Sequence, residues 1–331
     1  MAEELTARVR DAFGWDGDVG LTPGPRGALG QIWRVDVRDA RFALKEIFAE
    51  PPTEARIEAE VAFGRLAAAE GVRLPAIHAD RAGNRLLTAP DGRWLRLYDW
   101  VDLSPIDLMA PATPAAVGTL LARLHRCAPR TAVETDGGAP ARWYDSVPST
   151  NEWATVCASG ATWAERLTER VATLPELCAA VAPVDPERLI VCHRDLHPDN
   201  VLTDPTGALV VVDWDNFGPA EPGRELAQAL FDWLGDGQRT DLDAMRGMYE
   251  AYVREGGPGR VTEPADFTML LACRVNFLLV QALVAIDPQA EPRHRDWAER
   301  EIEEGLHMLP TRGQLADVLQ VLSGGGSRMG P

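Results

Sequence analysis

The segment Cys192-His-Arg-Asp-Leu-His-Pro-Asp-Asn200 gathers two histidines, two aspartates and an asparagine within eight positions. Thirteen residues after Asn200 comes Asp213-Trp-Asp215. Between them, residues 201–212 read as strand, Asp-Pro-Thr-Gly turn, strand. Such a hairpin would return the chain so that Asp195, Asn200 and Asp213 converge on one point. Three hard oxygen donors suit Mg²⁺, with phosphate oxygens and waters completing an octahedron. The same segment offers a second chemistry. His193 and His197 flank Asp195, a His/Asp cluster that a metal-dependent hydrolase could use.

Another residue stands out by its rarity. The chain carries 33 basic residues, of which Lys45 is the one lysine and the rest are arginines. A compact ammonium does what a planar guanidinium cannot, such as meeting a phosphate as a point charge.

The elements that must position these groups fall into two regions. Residues 3–14 have helical spacing, and Thr22–Gly30 is rich in turn formers. Gln31–Val37 and Arg41–Phe48 read as a strand hairpin that carries Lys45. Residues 53–70 read as a helix with Thr53 as its N-cap and Gly71 as its end. Arg85–Thr88 and Trp94–Tyr98 read as a further hairpin. From about residue 103 the pattern turns helical. Thr113–Arg126, with Thr113 as cap and Pro114 at its first position, comes first. Glu152–Ala180, Glu221–Leu234, Asp241–Arg254, Asp266–Ile286 and His294–Leu309 follow, with short buried strands at Leu189–Val191 and Leu209–Val212. The expected division is 1–102, 103–310 and a partly disordered tail over 311–331.

Here the spacing resembles a known pattern. His193-Arg-Asp195 followed by Asn200 matches the H-R-D-x-x-x-x-N loop of protein-kinase-like enzymes. His-x-Asp-x-His-Pro-x-Asn followed by Asp-Trp-Asp is similar to the aminoglycoside phosphotransferase and choline kinase-like family of small-molecule kinases. Leu120-Leu-Ala-Arg-Leu-His125 resembles that family's helix entering the second lobe. The likeness extends over roughly residues 20–305.

The resemblance implies an α+β, bilobal protein-kinase-like fold, with an antiparallel sheet and one helix in the first lobe and a mainly helical second lobe. It implies Asp195 as catalytic base, Asn200 and Asp213 as magnesium ligands and His193 as a member of the catalytic loop. Lys45 would hold the α/β-phosphates of ATP or GTP. A helical glutamate would pair with it, and of Glu54, Glu58 and Glu60 the last fits the family's pattern best. Backbone groups of the connector Tyr98–Val101, Asp99 and Val101 among them, would hold adenine. Gly27 and Gly30 stand where a phosphate loop would lie, although Gly24-Pro-Arg-Gly27-Ala-Leu-Gly30 is not G-x-G-x-x-G. Asp-Trp-Asp replaces D-F-G and no A-P-E follows, which points away from protein substrates.

Composition narrows the substrate. Lys and Arg number 33 against 50 Asp and Glu, for a net charge of −17. Residues 1–100 account for −2 (14 basic, 16 acidic) and residues 101–331 for −15 (19 basic, 34 acidic). That balance excludes a phosphate-backbone binder and suits a cationic ligand. Trp143, Asp145, Glu152, Trp153, Asp215, Asp232, Trp233 and Asp236 are candidates for an acceptor pocket, where carboxylates and indole faces would bind an ammonium. The expected acceptor is a hydroxyl on a small amine-bearing molecule: an aminoglycoside or other antibiotic, an amino sugar or an amino alcohol. A nucleotide-binding pseudokinase is the other rival. Five cysteines stand far apart without C-x-x-C, and residues 278–286, the best apolar run, are broken by Gln281. A reducing cytoplasm and no membrane partner are expected, and the oligomeric state is open.

Overall fold

The computed structural model describes residues 2–26, 30–48, 50–89, 91–131 and 143–324. The chain divides into two compact units, Met1–Pro105 with Val201–Asp213, and Ile106–Asn200 with Trp214–Pro331. The division differs from a single cut after residue 102, because the 201–213 hairpin pairs with Ser104–Pro105 of the first unit.

The first unit opens with α1 (Ala2–Phe13), then β1 (Val19–Arg26), β2 (Gly30–Val37) and β3 (Ala40–Ile47). The helix α2 (Glu54–Ala69) follows, then β4 (Ile77–His78), β5 (Leu87–Thr88), β6 (Trp94–Asp99) and β7 (Ser104–Pro105). The main sheet runs β1-β2-β3-β6-β4, with β5 pairing β6, and every pairing is antiparallel. The turn-rich reading of residues 22–30 is corrected: Val19–Pro23 pair with β2, and a register shift between Pro23 and Arg26 absorbs Gly24 and Pro25. Proline is tolerated because β1 lies on the sheet's edge, where its missing N–H costs no ladder bond.

Strand alternation gives this sheet two faces. Val35, Val37, Leu44, Leu95 and Leu97 turn one way and pack with Leu5 and Val9 of α1. Lys45 and Arg96, directly opposite one another on β3 and β6, turn the other way. The helix α2 begins as expected, with the Thr53 hydroxyl accepting from Arg56 N–H at 3.2 Å. Its buried stripe is Ile57, Glu60, Phe63, Gly64 and Ala67, which puts one carboxylate on an otherwise apolar face.

The second unit holds α3 (Thr113–Cys127), α4 (Ala154–Cys157), α5 (Ala164–Leu177) and β8 (Ile190–Cys192). Thr113 does not cap α3; its hydroxyl donates to the Asp107 carbonyl at 2.7 Å. The chain then returns to the first unit as β9 (Val201–Thr203) and β10 (Leu209–Val211), which form a three-stranded sheet with β7. It re-enters the second unit as β11 (Gly218–Ala220), α6 (Pro222–Leu234), α7 (Leu242–Arg254), α8 (Thr268–Ile286), α9 (Pro292–Met308) and α10 (Arg312–Ser323). The last element corrects the expected tail. Leu315, Val318 and Leu322 are buried, α10 packs against α7, and a Thr311/Gln314 capping box starts it. The stretch Pro264–Ile286 is long and apolar enough to cross a membrane, with mean hydropathy 2.1, yet half of its apolar window is packed inside the protein.

Candidate active site

In the second unit, β8 and β11 pair antiparallel, Cys192 opposite Gly218, and the loop from His193 hangs from that pair. His193 is fully buried, its ring edge-on to Trp214 at 5.0 Å between centroids. Arg194 has φ +65°, a left-handed conformation that costs a non-glycine residue of order 1–3 kcal/mol. Its backbone N–H donates to the Glu225 carboxylate. Its guanidinium donates to the Asn216 carbonyl at 2.6 Å and the Phe217 carbonyl at 3.2 Å, and lies 4.1 Å over the Tyr144 ring. A Cβ on Gly218 would stand 2.5 Å from that guanidinium, which explains glycine there.

Glu225, on α6, is 2% exposed and also meets His125 Nε2 at 2.5 Å, while His125 Nδ1 meets the Tyr252 hydroxyl at 2.7 Å. Burial alone would raise the Glu225 pKa. The His125 hydrogen bond and charge, the charge of His193 and the Arg194 N–H together hold it below the ordinary carboxylate value. Trp233 is buried and gives its indole N–H to the Leu196 carbonyl at 2.7 Å. That bond supports the loop, and it takes Trp233 out of the acceptor set.

These anchors fix Asp195. Its Oδ2 receives Asn200 Nδ2 at 3.1 Å and Asn216 Nδ2 at 2.9 Å, and its carbonyl also receives Asn200 Nδ2 at 2.9 Å. Oδ1 lies 3.6 Å from His197 Nε2. Both amides thus fall on Oδ2 and none of these bonds uses Oδ1. Asn200 and Asp195 therefore come together as the spacing implied, and Asn216 joins them without having been foreseen.

The first unit holds the other half of the expected set. Lys45 Nζ is 2.8 Å from Asp213 Oδ1, with the lysine side chain 16% exposed and the aspartate 48%. Asp213 has φ +56°. Glu60 is the buried one of the three candidate glutamates, and it accepts from Arg96 Nη2 at 2.8 Å. Arg96, 1% exposed, was not foreseen, although alternation in Trp94-Leu-Arg-Leu-Tyr98 already set it opposite the apolar face. A Cβ on Gly30 would lie 2.6 Å from the Glu46 carbonyl, so close strand approach accounts for that glycine. Gly27 lies outside the described residues. Asp99 spends its N–H on the Ala76 carbonyl at 3.0 Å and its carboxylate on Ala76 N–H at 3.1 Å and His78 at 2.7 Å. Those bonds commit its N–H and carboxylate, and the half-buried Val101 is the other connector candidate.

The acceptor candidates separate. Glu152 accepts from Ser149 N–H and hydroxyl as a capping box, and Trp153 is 1% exposed, so both are structural. Asp236 closes a turn by accepting from Gln238 and Arg239 N–H. Asp232 is answered by Arg274 at 2.8 Å. Asp215 is exposed, and Trp143 and Asp145 are half-buried. Among the described residues, one His/Cys/carboxylate group is close enough to share an ion: His125, Cys192 and Glu225, all buried. His193 and His197 do not belong to it.

The sequence from residue 20 to residue 263 matches the model of the phosphotransferase enzyme family, APH. The chain belongs to that family. It is a small-molecule kinase, and the match spans Lys45, the loop over residues 193–200 and Asp213 together. No curated protein matches this phosphotransferase in sequence. In structure it is similar to spectinomycin phosphotransferase, with TM-score 0.63 and 14% identity over 93% of this chain and 98% of that one. A microcompartment-associated aminopropanol kinase gives 0.64 and 18% over 95% and 98%. An aminoglycoside phosphotransferase from Alicyclobacillus acidocaldarius gives 0.58 and 17% over 94% of each. The phosphotransferase thus has the bilobal α+β kinase-like fold that the resemblance implied.

Proposed function

We propose that this phosphotransferase moves the γ-phosphate of ATP to a hydroxyl of a small amine-bearing molecule. The observation that carries the reading is the held Asp195 carboxylate, with two asparagine amides on Oδ2 while Oδ1 stands 3.6 Å from His197 Nε2. Asp195 orients the acceptor hydroxyl and takes its proton as the oxygen attacks the γ-phosphorus, the bond from that phosphorus to the bridging oxygen breaks and ADP leaves. In-line placement and charge stabilisation supply most of such catalysis. Lys45 meets the α/β-phosphates as a point charge, and Asp213 keeps its ammonium in place beforehand. Val101 offers backbone groups to adenine.

Asn200 and Asp213 are each, by the chemistry of their donor atoms, suited to hold magnesium. The Asn200 Nδ2 is committed to Asp195, so its amide oxygen is the atom left to coordinate, and Asp213 adds an exposed carboxylate. Both are hard donors. When bound, the ion would neutralise charge on the phosphate oxygens.

The amine on the acceptor is read from the −15 charge of residues 101–331, from exposed Asp215 and from half-buried Trp143 and Asp145. The aminopropanol kinase among its structural neighbours agrees with an amine-bearing acceptor. All five cysteines are free thiols, which suits a reducing cytoplasm. The test is ADP release from Mg·ATP over aminoglycosides, other hydroxylated antibiotics, amino sugars and amino alcohols. Activity confined to acceptors without an amine would overturn the substrate class.

A further inference from the structure

The Arg96–Glu60 pair is unusual in its burial. The arginine side chain is 0% exposed and the glutamate 7%, and their hydrogen bond is 2.8 Å. Burying two charges is costly, and apolar residues of similar volume often hold two elements together at least as well. Stability alone therefore gives no reason for a guanidinium here. Its place does. Arg96 stands directly across from Lys45 in the β3–β6 register, on the face opposite the α1 core. Its guanidinium carbon also lies 5.3 Å from the centroid of the Tyr98 ring, at the start of the connector. One side chain thus bonds the α2 carboxylate, sits opposite the chain's one lysine and packs on the connector.

We infer that Arg96 is a positioning residue for nucleotide binding. It acts through Glu60, fixing α2 and its carboxylate on the face that Lys45 shares, so that the phosphate site is set by the protein before nucleotide arrives. A preformed site loses less on binding than one that must be ordered. The inference rests on the reading of Lys45 as the phosphate-binding cation.

The experiment is calorimetric titration of Mg·ATP, with melting temperatures measured alongside and every titration run well below the lowest of them. The variants are Lys45→Ala, Arg96→Met, Arg96→Lys, Glu60→Gln and Arg96→Met with Glu60→Gln. Arg96→Met is expected to weaken Mg·ATP binding about tenfold or more, the scale of a small misplacement in a preorganised site. Glu60→Gln should do the same, and the double variant should be no weaker than Glu60→Gln alone. Arg96→Lys should recover part of the loss. Wild-type affinity in Arg96→Met, with only the melting temperature lowered, would overturn the inference. So would strictly additive losses in the double variant, because Arg96 would then not act through Glu60. If Arg96→Met does not fold, the double variant leaves no buried charge and decides alone: affinity like Glu60→Gln supports the inference and wild-type affinity overturns it. Unchanged binding in Lys45→Ala would instead defeat the phosphate reading of Lys45 itself.

Discussion

A carboxylate that works as a base must offer one oxygen and keep the other still. Asp195 is proposed as such a base, and the amides of Asn200 and Asn216 hold its Oδ2. Replacing it with alanine should lower turnover by about 10²–10⁴, the usual range for a positioned base, while Mg·ATP still binds. ADP release beside calorimetric titration checks both halves, and retained turnover would remove Asp195 from the role. Lys45→Arg tests the other half. Charge is kept, but a planar fork spreads it where the compact ammonium beside Asp213 concentrates it, and kcat/KM should fall about tenfold or more. Wild-type kinetics in Lys45→Arg would make the lone lysine an accident of composition. At this scale the sequence was most legible where spacing is short. Asp195, Asn200 and Asp213 sit within 19 positions, and Lys45 is marked by rarity. Arg96, Asn216 and Glu225 were not found. Their partners stand 36, 21 and 31 positions away, and only packing makes the introduction.

At the scale of elements, α6 anchors the loop over residues 193–200 through one buried carboxylate, Glu225. Glu225→Gln removes the charge facing His125 and weakens the acceptor of the strained Arg194 N–H. Breaking such a buried pair typically costs about 3–5 kcal/mol, which a denaturant midpoint would read. The pH dependence follows from the lowered Glu225 pKa. Its contribution to stability is complete above the ordinary carboxylate value, near 4.5, and is lost as pH falls towards the lower folded value. Stability curves of wild type and Glu225→Gln should therefore converge on acidification below about 4.5. Parallel curves would deny Glu225 that role. The same sign holds in the β9–β10 turn. Bonds from Thr206, first its hydroxyl, and from Ala208 N–H pull the Asp204 carboxyl down to about 2 despite some desolvation. Asp204→Asn should lose stability at neutral pH and lose that deficit between the ordinary value of 3.8 and about 2. Two elements escaped sequence reading for local reasons. In β1 the Pro-Gly-Pro run signals a turn, yet an edge position and a bulge accommodate it. In α10 the apolar spacing is short and precedes a glycine-rich end, and burial against α7 decides it.

At the scale of the whole molecule, the chain crosses between its two units at 105/106, 200/201 and 213/214. The last two crossings fall beside Asn200 and Asp213, and the first lies just past the connector. A change of composition near residue 103 was readable in sequence, but the return of 201–213 to the first unit was not, since it depends on β7 pairing with β9. The charge asymmetry belongs to this scale too, and it predicts salt-sensitive capture of a cationic acceptor. The acceptor KM should rise several-fold between low and physiological salt as screening shortens the reach of the acidic surface. A flat salt response would remove long-range attraction from the account.

The most direct measurement is ADP release from Mg·ATP across amine-bearing acceptors, with the Asp195→Ala protein as the blank. The account predicts acceptor-dependent release that vanishes in the blank. Release that persists in Asp195→Ala, or wild-type protein that binds no ATP, would contradict it.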